Sequence, residues 1–197
     1  MKSGRPHSTS HDQIARVALE LFAERGFEAT TVEEIAAAVG VGRRTIFRYF
    51  PSKNDMVWGN FEWVLERLRT LLEESPPQEP LFAAVKRAAL LSNRYPPEQL
   101  PELRIRMALI TTVPALQAHS MLRYGAWRRV IAEFVAARLG CDGDDLGPQA
   151  ISHAALGASM AGFGRWVAHP EEDLDRCLED AYEMLGEGFA GLDGQAR

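Results

Sequence analysis

A chain of 197 residues and 21.9 kDa, 46% hydrophobic and 25% charged, is long enough to bury a core and has the composition of a soluble globular protein. No apolar stretch of secretory length follows the first residues and nowhere do about eighteen apolar residues run together, so a cytoplasmic protein is expected rather than an exported or membrane-spanning one. The net charge of −5 taken alone speaks against a nucleic-acid partner, but residues 1–53 carry eight Lys/Arg against six Asp/Glu, whereas residues 54–197 carry 14 against 21. A mildly basic head on an acidic body suits a protein that meets phosphate at one end only.

Helical periodicity divided by Pro and Gly runs through the chain without sustained strand alternation, which predicts an all-α fold of about nine helices. In the first, Ile14, Val17, Ala18, Leu21 and Phe22 share a face, Ser10 or Thr9 is placed to cap the start and Gly26 to stop it. In the second, Thr31 and Glu34 form a capping box ahead of Ile35, Ala36 and Val39, with Gly40 at the end. A short third helix runs from about Gly42 to Phe50. Pro51 breaks it, and Ser52 opens a long fourth helix whose stripe continues from Val57 through Phe61, Leu65, Leu68 and Leu72 to the prolines at 76, 77 and 80.

Further helices are expected at about Leu81–Tyr95, Glu102–Thr112, Ala115–Leu139, Pro148–Ala168 and Glu171–Leu192, with a short extended piece at Ile110–Val113 as an alternative because β-branched residues there precede Pro114. Cys141 and Cys177 stand far apart with no CxxC and no histidine cluster, so they read as reduced thiols and no metal or disulfide framework is implied. No phosphate loop, GxSxG or HExxH is present, the five histidines are scattered, and neither a cofactor nor an enzyme is expected.

The functional signal lies between Thr30 and Lys53. Two short helices joined by Gly40-Val41-Gly42 make a helix-turn-helix, and the second turns Arg43, Arg44, Thr45, Arg48 and Tyr49 outward while Ile46 and Phe50 face inward. Forked arginine donors match the O6 and N7 of guanine, and a threonine offers a hydroxyl or methyl to a base edge. Lys53 and Thr31, each at a helix start, are placed to hold phosphates. A basic arm at Lys2 and Arg5 is a candidate for an adjacent minor groove, weighed against a disordered tail.

The stretch ALELFAERGFEATTVEEIAAAVGVGRRTIFRYFPSKNDM resembles the DNA-binding head of the tetracycline-repressor (TetR) family over roughly residues 11–58. The resemblance implies base contacts from Arg43, Arg44, Thr45 and Arg48 and phosphate contacts from Thr31, Tyr49 and Lys53. Where the family usually has Tyr, Phe47 has no hydroxyl for a phosphate and is carried over as a packing contact only. Phe50–Trp63 with Leu116–Leu139 is further similar to the regulators encoded with mycofactocin biosynthesis.

Two domains follow: residues 1–53 as the DNA-binding head and residues 54–197 as an effector-binding and dimerising body. An effector pocket is expected among Arg104, Met107, His119, Arg123, Tyr124, Trp127 and Phe163, where arginines beside apolar surface suit an organic acid or acyl thioester. By analogy with the family, the last two helices pair with those of a second subunit through Ala154, Ala158, Ala161, Leu178, Tyr182 and Leu185. Paired heads imply a roughly palindromic duplex operator, and the function expected is a repressor released by a small molecule, the alternatives being a ligand-insensitive DNA-binding protein or a helical carrier or enzyme.

Overall fold

The computed structural model describes residues 10–188. Among them are ten α-helices and no strand: α1 (His11–Arg25), α2 (Val32–Val39), α3 (Arg43–Tyr49), α4 (Lys53–Trp58), α5 (Phe61–Glu73), α6 (Leu81–Ser92), α7 (Leu100–Thr112), α8 (Pro114–Leu139), α9 (Leu146–Ala168) and α10 (Leu174–Gly186). A single 3-10 turn, Pro97–Gln99, precedes α7. The basic arm before Ser10, and Phe189 and Leu192 of the expected last helix, lie outside the described residues.

Local chemistry explains the N-terminal helix ends. The Ser10 hydroxyl accepts from the Gln13 amide at 3.1 Å and starts α1. At α2 the capping box is complete: Thr31 Oγ1 accepts from the Glu34 amide at 3.2 Å, and Glu34 Oε2 accepts from the Thr31 amide at 2.8 Å. Gly40 then takes the left-handed conformation (φ 77°, ψ 30°), so that its amide reaches the Ala37 carbonyl at 3.1 Å and the Val41 amide reaches Ala36 at 2.9 Å. That double closure turns the chain sharply at little cost only when the residue lacks a Cβ.

The fourth helix differs from its expectation. It ends at Trp58, and the chain bends through Gly59 (φ 55°, ψ −139°) and Asn60 before α5 begins. An apolar stripe at three- and four-residue spacing passes over such a break unnoticed, because the spacing reports one face and says nothing of backbone continuity. The guanidinium of Arg106 in α7 lies against the bend, where a Cβ on residue 59 would meet Nη2 at 3.1 Å. The alternative extended piece before Pro114 is absent: α7 stays helical to Thr112, and the Thr111 and Thr112 hydroxyls bond back to the carbonyls of Met107 and Ala108 at 2.7–3.1 Å.

By compactness the described residues divide into two units. The first contains residues 10–60 together with Leu100–Ala118; the second contains Phe61–Gln99 and residues 119–188. In the first, α7 packs on α1 and α4, and Ile14, Ala18, Phe22, Ile35, Ile46 and Met56 are buried. An amphipathic helix announces that it has an apolar face but not which core that face will join.

The second unit is built around Leu65, Leu68 and Leu72 of α5, Val85 and Ala88 of α6, Trp127, Ile131 and Val135 of α8, Ala155 of α9 and Tyr182 of α10. α9 and α10 approach closely at Gly162, where an added Cβ would stand 2.9 Å from the Leu178 Cα. The buried Tyr182 hydroxyl donates to the Ala155 carbonyl at 2.9 Å and shares a 3.0 Å hydrogen bond with Ser159. Burial raises the Tyr182 phenol above its ordinary range.

Candidate nucleic-acid interface

The second helix of the helix-turn-helix is held by its buried side. Ile46 and Phe50 are almost fully enclosed, while Arg43, Arg44, Phe47 and Arg48 are exposed and Thr45 and Tyr49 are half-buried. With Ile46 and Phe50 anchored four residues apart, helical geometry fixes the outward direction of the arginines. Gly42 provides no side-chain cap for α3; the first bonds are the Thr45 and Ile46 amides to its carbonyl, at 2.8 and 3.3 Å. Arg48 stacks over the Tyr49 ring at 5.3 Å. Arg43 stacks over Phe47 at 5.3 Å, and its Nη1 forms an ion pair with Glu33 Oε1 at 2.6 Å. Glu33 has no role in the sequence reading: its partner lies ten residues on in another helix, beyond the reach of spacing rules within one helix.

At the two helix starts expected to hold phosphates, Lys53 and Thr31 both have partners within the chain. Lys53 Nζ donates to the carbonyls of Phe27 at 2.8 Å and Thr30 at 3.1 Å, and sits 4.2 Å from the centre of the Phe27 ring. It therefore staples the α1–α2 connection to the start of α4, because turn carbonyls left without helical partners attract an ammonium strongly. The Thr31 hydroxyl donates to Glu34 Oε2 at 2.9 Å while accepting from its amide, so its bonding capacity is used inside the cap. The Thr31 hydrogen bonds, with help from Arg25, hold the Glu34 carboxyl below the usual carboxylate range.

Chain-internal packing also corrects part of the expected pairing surface. Leu178 and Tyr182 are 1% and 0% exposed within one chain, covered by α9, and have no surface left for a second copy. Ala154, Ala158 and Leu185 are half-buried and Ala161 is exposed. The expected pocket residues come from α7, α8 and α9. On α7, Arg104 is half-buried and Met107 buried. In the second unit, Arg123 faces Glu62 at 3.7 Å, burial raises the Tyr124 phenol to about 12, His119 is half-buried, and Trp127 and Phe163 are buried. Two open cavities of this unit, of about 440 and 790 Å³, lie along α5 and α8, share Arg69, Val130 and Glu133, and are lined by other residues than these seven.

Among the described residues His169, Glu171 and Glu172 bring ligand atoms within 4.8 Å of one another. Arg165 Nε donates to Glu172 at 2.6 Å and a second guanidinium nitrogen bonds the same carboxylate, so that group is already neutralised. No helix among the described residues is long and apolar enough to cross a membrane.

Residues 14–57 match the bacterial regulatory proteins of the tetR family, and residues 79–190 match the MftR C-terminal domain. Over 190 residues the sequence is 39% identical to MftR of Mycobacterium tuberculosis, a proposed mycofactocin biosynthesis transcriptional regulator, covering 96% of this chain and 94% of that protein. The chain belongs to the TetR family. Within it, the chain carries the C-terminal domain of the MftR type, and it is a DNA-binding transcriptional regulator. Another relative, the HTH-type transcriptional regulator TcmR of Streptomyces glaucescens, is 32% identical over 181 residues, 88% of this chain and 80% of the relative. Among solved structures, the TetR-family repressor FadR of Thermus thermophilus, in complex with lauroyl-CoA, is 26% identical with a TM-score of 0.56 over 91% of this chain and 94% of that one.

Proposed function

We propose that this regulator is a cytoplasmic, dimeric repressor that binds a roughly palindromic operator through α3 and leaves it when a small organic acid or acyl thioester occupies the body. Residues 1–53 act as the reading head and residues 54–197 as the sensing and pairing body. The observation carrying this reading is that Ile46 and Phe50 are locked into the core while Arg43, Arg44 and Arg48 stay in solvent at the surface of a single short helix. Arg43, Arg44, Thr45 and Arg48 meet base edges; Tyr49 and the remaining donor of Lys53 meet the backbone. Pairing uses the small residues Ala154, Ala158 and Ala161 with Leu185. The acyl-thioester class is supported by the likeness to FadR.

Footprinting on the DNA beside the regulator's own gene, at several salt concentrations and with lauroyl-CoA as the probe, tests the whole reading. A protected segment with two-fold symmetry, binding that weakens steeply with salt and release by the acyl thioester are expected. Absence of any protected segment sinks the operator assignment. Protection that no acyl thioester alters sinks the effector class and favours a ligand-insensitive DNA-binding protein.

A further inference from the structure

Arg43 is the first residue of α3, the end of a helix at which the backbone dipole disfavours a cation. Its charge does not serve helix stability, and two neighbours compensate for it. From α2, Glu33 Oε1 pairs with Nη1 at 2.6 Å; from one turn along α3, the Phe47 ring lies 5.3 Å beneath the guanidinium carbon. The side chains of Arg43 and Glu33 are 62% and 58% exposed, so both remain accessible to a ligand in solution. A guanidinium fork bonded by one carboxylate and stacked on one ring keeps further N–H donors for a partner in its own plane.

We propose that Glu33 is a positioning residue for DNA reading: it orients Arg43 so that preference for guanine at the base pair Arg43 meets depends on Glu33. This rests on the operator-binding reading above. In water the exposed ion pair is weak and screened. Against DNA it acts in two ways. Where the fork meets guanine, less side-chain freedom remains to be lost, so the matched site is favoured. Elsewhere the Glu33 carboxylate faces phosphate without a compensating base contact, so unmatched duplex is disfavoured. Selectivity therefore comes from the pair rather than from the arginine alone.

The test uses the full chain. A random duplex library first defines the sequence that the wild type selects. Affinities are then measured for the wild type, Glu33→Gln, Arg43→Ala and the double variant on that duplex, on its single-base-pair variants and on unrelated duplex, with circular dichroism to verify folding. Glu33→Gln is expected to bind unrelated duplex about two- to five-fold more tightly and to lose about five-fold or more of its preference at one base pair per half-site. In the Arg43→Ala background the same substitution should leave base preference untouched. Uniform tightening on every duplex with preference intact, or a preference loss that persists without Arg43, overturns the proposal. If the wild type selects no sequence, the operator-binding reading itself fails and the proposal falls with it; normal selection with an unaltered Glu33→Gln preference sinks the Glu33 role alone.

Discussion

Replacing Lys53 with Met separates two roles that the sequence merges. The ammonium donates to two carbonyls, Phe27 at 2.8 Å and Thr30 at 3.1 Å, and rests on the Phe27 ring at 4.2 Å. Hydrogen bonds from a charged donor contribute about 1.5–3 kcal/mol each, and solvent at this half-buried position reduces that to about 1 kcal/mol each. The ring contact adds about 0.5–1 kcal/mol, for a total loss of about 2.5–3 kcal/mol in the first unit. Methionine keeps the aliphatic stem, so packing changes little. Urea denaturation followed by circular dichroism should register the loss, and amide exchange should accelerate locally between Phe27 and Thr31. Operator binding would weaken too, through the loss of one phosphate donor and a looser α1–α2 connection. A variant with unchanged denaturation and exchange but with greatly reduced DNA affinity would refute the staple and restore Lys53 as chiefly a phosphate ligand.

Three further expectations follow from geometry. In a continuous helix Gly59→Ala would stabilise by about 1 kcal/mol. At φ 55° and ψ −139°, with Arg106 Nη2 3.1 Å from the new Cβ, it should instead destabilise by about 1–3 kcal/mol, so the sign measured by chemical denaturation decides between the two backbones. Tyr182→Phe leaves the Ala155 carbonyl and the Ser159 hydroxyl without their buried partner and should cost about 1–3 kcal/mol by the same measurement, with little effect expected at fully exposed positions. Glu34 has a folded-state pKa below its unfolded value, so its capping contribution is present above the ordinary carboxylate range and disappears as pH falls through the lowered value. Acid titration of stability should accordingly show Glu34→Gln weaker than the wild type near neutrality, with the difference narrowing toward low pH; a constant gap would contradict the cap.

The parts of the head legible in the sequence are those decided within a few residues. The Thr31–Glu34 box, the Gly40 turn and the alternation of Ile46 and Phe50 with exposed arginines depend on helix geometry and short-range hydrogen bonds, and all three stand where the residue pattern puts them. Among the longer elements, periodicity located α6, α8 and α9 closely because Pro and Gly bound them, whereas the last helix, expected at Glu171–Leu192, runs only from Leu174 to Gly186. Its failure at Gly59 has the same root as its success: a stripe registers which side is apolar, whether or not the rod beneath it bends.

What the sequence determined by itself is therefore the helical class, the caps and the outward arginine face, since each arises from neighbours along the chain. Only the tertiary structure decided which distant groups meet. Lys53 finds carbonyls more than twenty residues away, Glu33 finds Arg43 across a turn, α7 joins α1 and α4, and Leu178 and Tyr182 spend their apolar surface on α9 of the same chain. The physical reason is common to all four. A side chain's chemistry states what kind of partner it requires, but packing selects among many chemically adequate partners, and that selection is made by the whole core at once.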